Sequence, residues 1–269
     1  MISEALTVYL AMGLFVGVFA GLLGIGGGTL LVPLMVFSFT ESNFSLDRVL
    51  HLAIGTSLAS IVFTSVSSIY AHHRKGAVLW SVFKQSAIFL ALGTILGSLF
   101  ADKIPPQLLS TLFVLFAAYS SYRLAIGKQP TPTRVLPKSV VMGVAASGIG
   151  VLSSLVGVGG GVITIPLMVM CNVPMRNAVG TSAALGLPIA IAGSVGYIVT
   201  GVGKSHLPEL SLGYVYLPAL LGIVLGTFIT VPIGAKLAHI MPVSALKKIF
   251  ALLLIFLALK MCITIFFGH

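Results

Sequence analysis

Two glycine clusters carry the most specific chemistry in this sequence. One comprises Gly24, Gly26, Gly27 and Gly28, the other Gly157, Gly159, Gly160 and Gly161. Each precedes an apolar run that contains Pro-Leu-Met-Val. Adjacent glycines are poor helix formers, each about 1 kcal/mol worse than Ala. Three readings compete. A dinucleotide fingerprint needs a strand before the glycines and a βαβ unit around them, whereas apolar, helix-length sequence surrounds both clusters. Close packing is the second reading, because small residues let membrane helices approach. The third is a helix broken at a binding site. A break in lipid leaves N–H and C=O groups unpaired, which is tolerated only inside protein or beside a water-filled cavity. Half-helices over 29–39 and 162–171 would then begin at the glycines, with free N–H groups and a positive dipole end that suit an anion. On this reading Gly26, Gly27, Gly28 and Thr29 form one part of a site, and Gly159, Gly160 and Gly161 the other.

A second motif is also duplicated. Gly55-Thr56-Ser57 and Gly180-Thr181-Ser182 each place two hydroxyls in an apolar helix. Thr56, Ser57, Thr181 and Ser182 are therefore candidate donors to an oxyanion, against the alternative that they bond back to their own helix carbonyls. Asn177, four residues before Thr181, offers an amide. The five acids (Glu4, Glu41, Asp47, Asp102, Glu209) fall at segment ends or in loops. With no carboxylate inside an apolar segment, the usual mark of a cation site or proton relay is missing, which favours an anion or a neutral solute. His51 begins the helix of the first Gly-Thr-Ser and is the candidate for proton coupling; the alternative is a histidine at the interface. No metal-ligand spacing and no catalytic acid, base or nucleophile grouping occurs, so neither a metal, a cofactor nor an enzyme activity is expected.

The elements that must position these residues are membrane helices. The chain has 269 residues, 58% hydrophobic and only 7% charged, whereas a soluble domain carries about 25% charged residues. Eight apolar stretches lie near 5–38, 50–71, 80–101, 107–126, 139–172, 176–200, 213–238 and 244–266, against about 20 residues needed to span. The first is not read as a signal peptide, because its start carries Glu4 and no Lys or Arg. Cys171 and Cys262 read as packing residues. Trp80, Tyr70, Tyr214 and Tyr216 suit an interfacial belt. The net charge of +10 fits basic loops rather than a nucleic-acid surface.

The chain is one pattern written twice. Gly21-Leu-Leu-Gly-Ile-Gly-Gly-Gly returns at Ser154-Leu-Val-Gly-Val-Gly-Gly-Gly, Ala53-Ile-Gly-Thr-Ser at Ala178-Val-Gly-Thr-Ser, and Leu92-Gly-Thr-Ile-Leu-Gly at Leu221-Gly-Ile-Val-Leu-Gly. The halves are 1–127 and 139–269, joined by a polar linker over 128–138. If each half made four crossings, the fifteen Lys and Arg would divide nine against six. If each glycine-rich stretch folds back on one face, only Arg48, Lys103, Lys204 and Lys260 lie on one side and eleven on the other, as the positive-inside rule expects. The expectation is an all-α polytopic membrane protein of two inverted repeats. Each repeat contains a re-entrant segment, and both termini lie on the non-cytoplasmic side.

These paired glycine motifs, each followed by a Gly-Thr-Ser helix, together with Ala71-His-His-Arg-Lys-Gly76, resemble the sulfite exporter TauE/SafE family of membrane permeases. The resemblance runs from about residue 8 to 262. It implies a transporter of small sulfur-containing anions, such as sulfite and organosulfonates, in a bacterial-type inner membrane. The reading of the sequence is a secondary transporter of a sulfur oxyanion or organosulfonate. Alternatives are a passive anion channel and a non-transport membrane subunit of an enzyme system. The expected partners are the anionic solute and the bilayer; self-association is left open.

Overall fold

The computed structural model describes residues 2–23, 27–126, 139–237 and 243–267. They form ten helices: α1 (Ile2–Leu23), α2 (Gly28–Glu41), α3 (Leu46–Arg74), α4 (Trp80–Ala101), α5 (Pro106–Ile126), α6 (Ser139–Val156), α7 (Gly161–Met170), α8 (Met175–Gly201), α9 (Leu217–Leu237) and α10 (Val243–Phe267). One short hairpin, β1 (Ser211–Leu212) with β2 (Val215–Tyr216), precedes α9. Among the described residues, six helices are long and apolar enough to cross a membrane: α3, α4, α5, α8, α9 and α10. The first and fifth apolar stretches of the sequence are each two helices, divided at the glycines. The protein is an all-α polytopic membrane protein.

The two short helices end alike. After α2, Asn43 (φ 58°) and Phe44 donate to Thr40 and Phe39 carbonyls. After α7, Asn172 (φ 64°) and Val173 donate to Val169 and Met168. Both are left-handed caps that satisfy the last carbonyls of a helix, with Asn in the position usually given to Gly. The caps turn the chain at once into α3 and α8. At 14 and 10 residues, α2 and α7 rise about 21 and 15 Å, short of a hydrocarbon core about 30 Å thick.

Helix pairing exchanges the halves. By the repeated motifs α1 corresponds to α6, α3 to α8 and α4 to α9. In the structure α1 packs on α9, and α6 packs on α4. Glycine makes both contacts close: a Cβ on Gly13 would lie 2.5 Å from the Ile223 carbonyl oxygen, and one on Gly93 would lie 2.1 Å from that of Ser147. Small residues at these two seams let the helix backbones approach. Contacts advance together along α1 and α9 (Gly13 at Ile223, Gly17 at Thr227) and along α4 and α6 (Gly93 at Ser147, Gly97 at Val151), so each pair runs parallel. Between the corresponding helices α3 and α8 they run oppositely, with Gly55 against Tyr197, Leu58 against Gly193 and Ser65 against Gly186. α2 returns against α3, Gly28 lying beside Ser57 and Ile61. α3 is the most enclosed of the six long helices, 78% buried where α4, α5, α9 and α10 are 39%. The Gly-Thr-Ser motifs on α3 and α8 are buried within protein, with Thr56, Ser57, Thr181 and Ser182 all enclosed.

Candidate functional site

The second break is built by two glycines in the left-handed region, Gly157 (φ 75°) and Gly160 (φ 74°), a conformation that costs other residues strain. Gly157 and Val158 donate to the Ser153 carbonyl and close α6; Ile163 and Thr164 donate to the Gly160 carbonyl and open α7. Of the first cluster, Gly24 and Gly26 lie outside the described residues. Gly27 caps α2 with helical φ (−71°) and packs against Val16 of α1. The two breaks touch. Ser57 donates from Oγ to the Gly157 carbonyl at 2.9 Å. A Cβ on Gly28 would stand 2.7 Å from that same oxygen, so only glycine fits there without displacement.

The other hydroxyls are more engaged than the sequence suggests. Thr56 Oγ1 accepts from the Tyr216 amide at 3.0 Å, and Thr181 Oγ1 accepts from the Leu79 amide at 2.9 Å. Leu79 and Tyr216 immediately precede α4 and α9. Each Gly-Thr-Ser threonine thus ties down the start of the other half's fourth helix, a structural bond that no local pattern announces. Ser182 pairs with Thr164 at 2.6 Å, and Thr164 reaches back to the Gly160 carbonyl at 3.1 Å. Asn177 donates to the Ala77 carbonyl at 3.4 Å and does not line the cavity beside the second break. Thr29 and Ser153, one at each break, have buried hydroxyls with no hydrogen-bond partner among the described residues. That is a costly condition unless something polar is added.

Beside the second break lies a cavity of about 50 Å³, several times the space one water needs. Gly159, Gly161 and Ser182 of the expected site residues line it. Gly27, Gly28, Thr29, Thr56, Ser57, Gly160, Asn177 and Thr181 stand around it or farther off. Its opposite wall is Ile61, Thr64, Ser65 and Ser68 of α3, completed by Ala20, Ala183, Gly186 and Val231. These four α3 positions follow the i, i+3, i+4, i+7 spacing of one helix face. The run Thr64-Ser-Val-Ser-Ser68 was the available signal. That run is a weak signal, because hydroxyls in a helix usually bond their own backbone, as Thr64 does to Ile61.

His51 is buried on α3, with Nε2 3.0 Å from the Ala101 carbonyl and Nδ1 unpartnered among the described residues. It does not line the cavity. Its neighbours form a charged cluster that the sequence left as separate segment ends. Asp102 at the end of α4 accepts from Lys204 Nζ at 2.6 Å and from the Tyr214 hydroxyl at 2.6 Å. Arg48 lies 3.7 Å from the carboxylate and donates to the Tyr214 oxygen at 2.8 Å. Partial burial pushes the Asp102 carboxyl up, but the Lys204 and Tyr214 hydrogen bonds outweigh it and hold the group below the usual carboxylate range. Burial and the adjacent carboxylate push the Tyr214 phenol well up. Tyr214, expected in an interfacial belt, is fully buried, whereas Tyr70 and Trp80 are exposed. At the opposite end of α3, Arg176 donates to the Lys75 carbonyl. No group of three or more metal-ligating side chains occurs among the described residues.

Residues 9–261 match the Sulfite exporter TauE/SafE family. A probable membrane transporter protein of Haemophilus influenzae is 36% identical over 255 residues, covering 94% of this chain and 96% of its own. The probable membrane transporter protein YdhB of Bacillus subtilis is 31% identical over 242 residues, covering 86% and 90%. No solved structure matches the chain.

Proposed function

Since this chain belongs to the Sulfite exporter TauE/SafE family and is a membrane transporter, we propose that it is a secondary carrier of a small anion, a sulfur oxyanion or organosulfonate, bound where the two glycine breaks meet. The observation that carries this reading is the contact of Gly28 and Ser57 with Gly157, which brings the start of α2 against the break between α6 and α7, beside a hydroxyl-lined cavity. Opposed broken helices at corresponding points of two repeats are the arrangement of a secondary transporter's central site. Their N-termini supply unpaired amides and a partial positive charge.

Inverted repeats give this carrier its two faces. The opposite course of α3 and α8, the return of α2 against α3 and the reciprocal pairing of α1 with α9 and α6 with α4 support that arrangement. So does the placing of charges: Lys204 stands with Arg48, and Arg176 with Lys75, the grouping of the fold-back topology. The Asp102 cluster then lies on the non-cytoplasmic side of an inner membrane, and the cavity on the cytoplasmic side of the crossing of α3 with α8.

Counterflow in proteoliposomes tests the carrier. Vesicles preloaded with unlabelled sulfite or a C2 sulfonate should accumulate the labelled anion transiently above equilibrium. A flux that merely equilibrates, whatever the preload, would identify a pore.

A further inference from the structure

Three features of the cavity bear on the charge of a solute that could enter it. Every described residue that lines it is uncharged. Arg48, Asp102 and Lys204 cluster at one end of α3, and Arg176 and Lys75 at the other. Ser65 is only 7% exposed, lines the cavity, and makes no hydrogen bond to any described residue. A serine this enclosed, whose hydroxyl opens on a cavity and bonds to no described residue, has room there for a polar partner. Ser68, one turn on, also lines the cavity without a partner among the described residues. The polar wall is not a consequence of the repeat: in the second half the positions of Thr64, Ser65 and Ser68 are held by Ile189, Ala190 and Gly193.

We propose that Ser65 and Ser68, facing Gly159, Gly161 and the amino end of α7, form a binding wall for a compact, singly charged oxyanion, a sulfonate or hydrogensulfite, and discriminate against dianions such as sulfate. The inference rests on the anion-carrier reading above and adds the charge state of the solute. The reason is electrostatic. Attraction to fixed dipoles, hydroxyls and the roughly half charge of a helix terminus grows in proportion to the ligand's charge. The cost of removing the ligand from water grows with its square. Without a lysine or arginine in the wall, a second negative charge costs more than it gains. The apolar part of the lining, Ala20, Ile61, Ala183 and Val231, accepts the short alkyl group of a sulfonate and offers nothing to a fourth oxygen.

The test is isothermal titration of the purified full-length protein with methanesulfonate and with sulfate, two ions of similar shape and different charge, at neutral pH. Methanesulfonate should bind at least about tenfold more tightly, and the S65A/S68A double variant should weaken it by about tenfold or more, as expected for lost hydrogen bonds to a charged group. The ligand-free thermal midpoint reports whether the variant is folded, and S68A alone, at a partly buried position, serves if the double variant is not. Sulfate binding as tightly as methanesulfonate overturns charge selection and leaves the anion carrier standing. Undiminished methanesulfonate binding in a folded variant overturns the α3 wall. Binding of neither ion overturns this inference together with the carrier reading.

Discussion

The hydroxyl of Ser57 donates across 2.9 Å to the carbonyl of Gly157, joining the Gly-Thr-Ser helix of one half to the glycine break of the other. The bond satisfies a carbonyl exposed by breaking α6 from α7, in a region where water is scarce. Gly28 presses on the same oxygen. A Gly28→Ala variant should therefore insert normally yet lose transport, because its methyl would separate the breaks at a cost of about 1–3 kcal/mol. Flux in vesicles, normalised to inserted protein, is the readout; wild-type flux would remove the break contact from the site.

Gly160 needs its left-handed φ of 74°, and a Cβ there would lie 2.8 Å from Ile189 Cδ1. Gly160→Ala should lower stability by about 1–3 kcal/mol, and Gly160→Leu should abolish transport altogether. A thermal-melt comparison with Gly76→Ala, whose glycine has similar φ but open space around it, separates backbone strain from crowding.

Thr56 and Thr181 accept amide protons at the starts of α9 and α4. Replacing either by Val strands a partly buried amide and should cost about 1 kcal/mol, whereas Ser should retain most of the stability. Melting midpoints in detergent compare the pairs. Equal midpoints for T181V and T181S would show that the Leu79 contact contributes nothing.

Asp102 holds Arg48, Lys204 and Tyr214 together. Because its folded pKa is lowered, its stabilisation is complete above the ordinary carboxylate value and disappears as pH falls through the lowered one, below about 4. Wild-type stability should show no Asp102 contribution to its pH dependence between pH 6 and 8. D102N should be destabilised throughout that range by about 1–3 kcal/mol. A wild-type protein that loses this increment between pH 8 and 6 would contradict the assignment.

The inverted arrangement predicts opposite sidedness for two loop positions. In right-side-out membrane vesicles, Lys204→Cys should react with an impermeant maleimide and Lys75→Cys should not, once Cys171 and Cys262 are replaced. Labelling of both from one side would refute the fold-back.

Much of this protein is written in local sequence. Hydropathy and charge scarcity determine that it lives in a bilayer. Adjacent glycines determine where α1 parts from α2 and α6 from α7, because helix propensity acts within a turn or two. The three repeated motifs identify the corresponding helices. What the tertiary structure decided is which polar groups remain free. Thr56 and Thr181 look like ligands in sequence, yet partners 160 and 102 residues away take their oxygens. Ser65 looks like any helical serine until Gly186 brings α8 against it and leaves a cavity where a partner would be. Asp102 looked like a loop acid and became the centre of a cluster because Lys204 and Tyr214 arrive from the other half. Propensity is a property of neighbours in the chain; hydrogen-bond satisfaction is a property of neighbours in space, and only the assembled helices assign it.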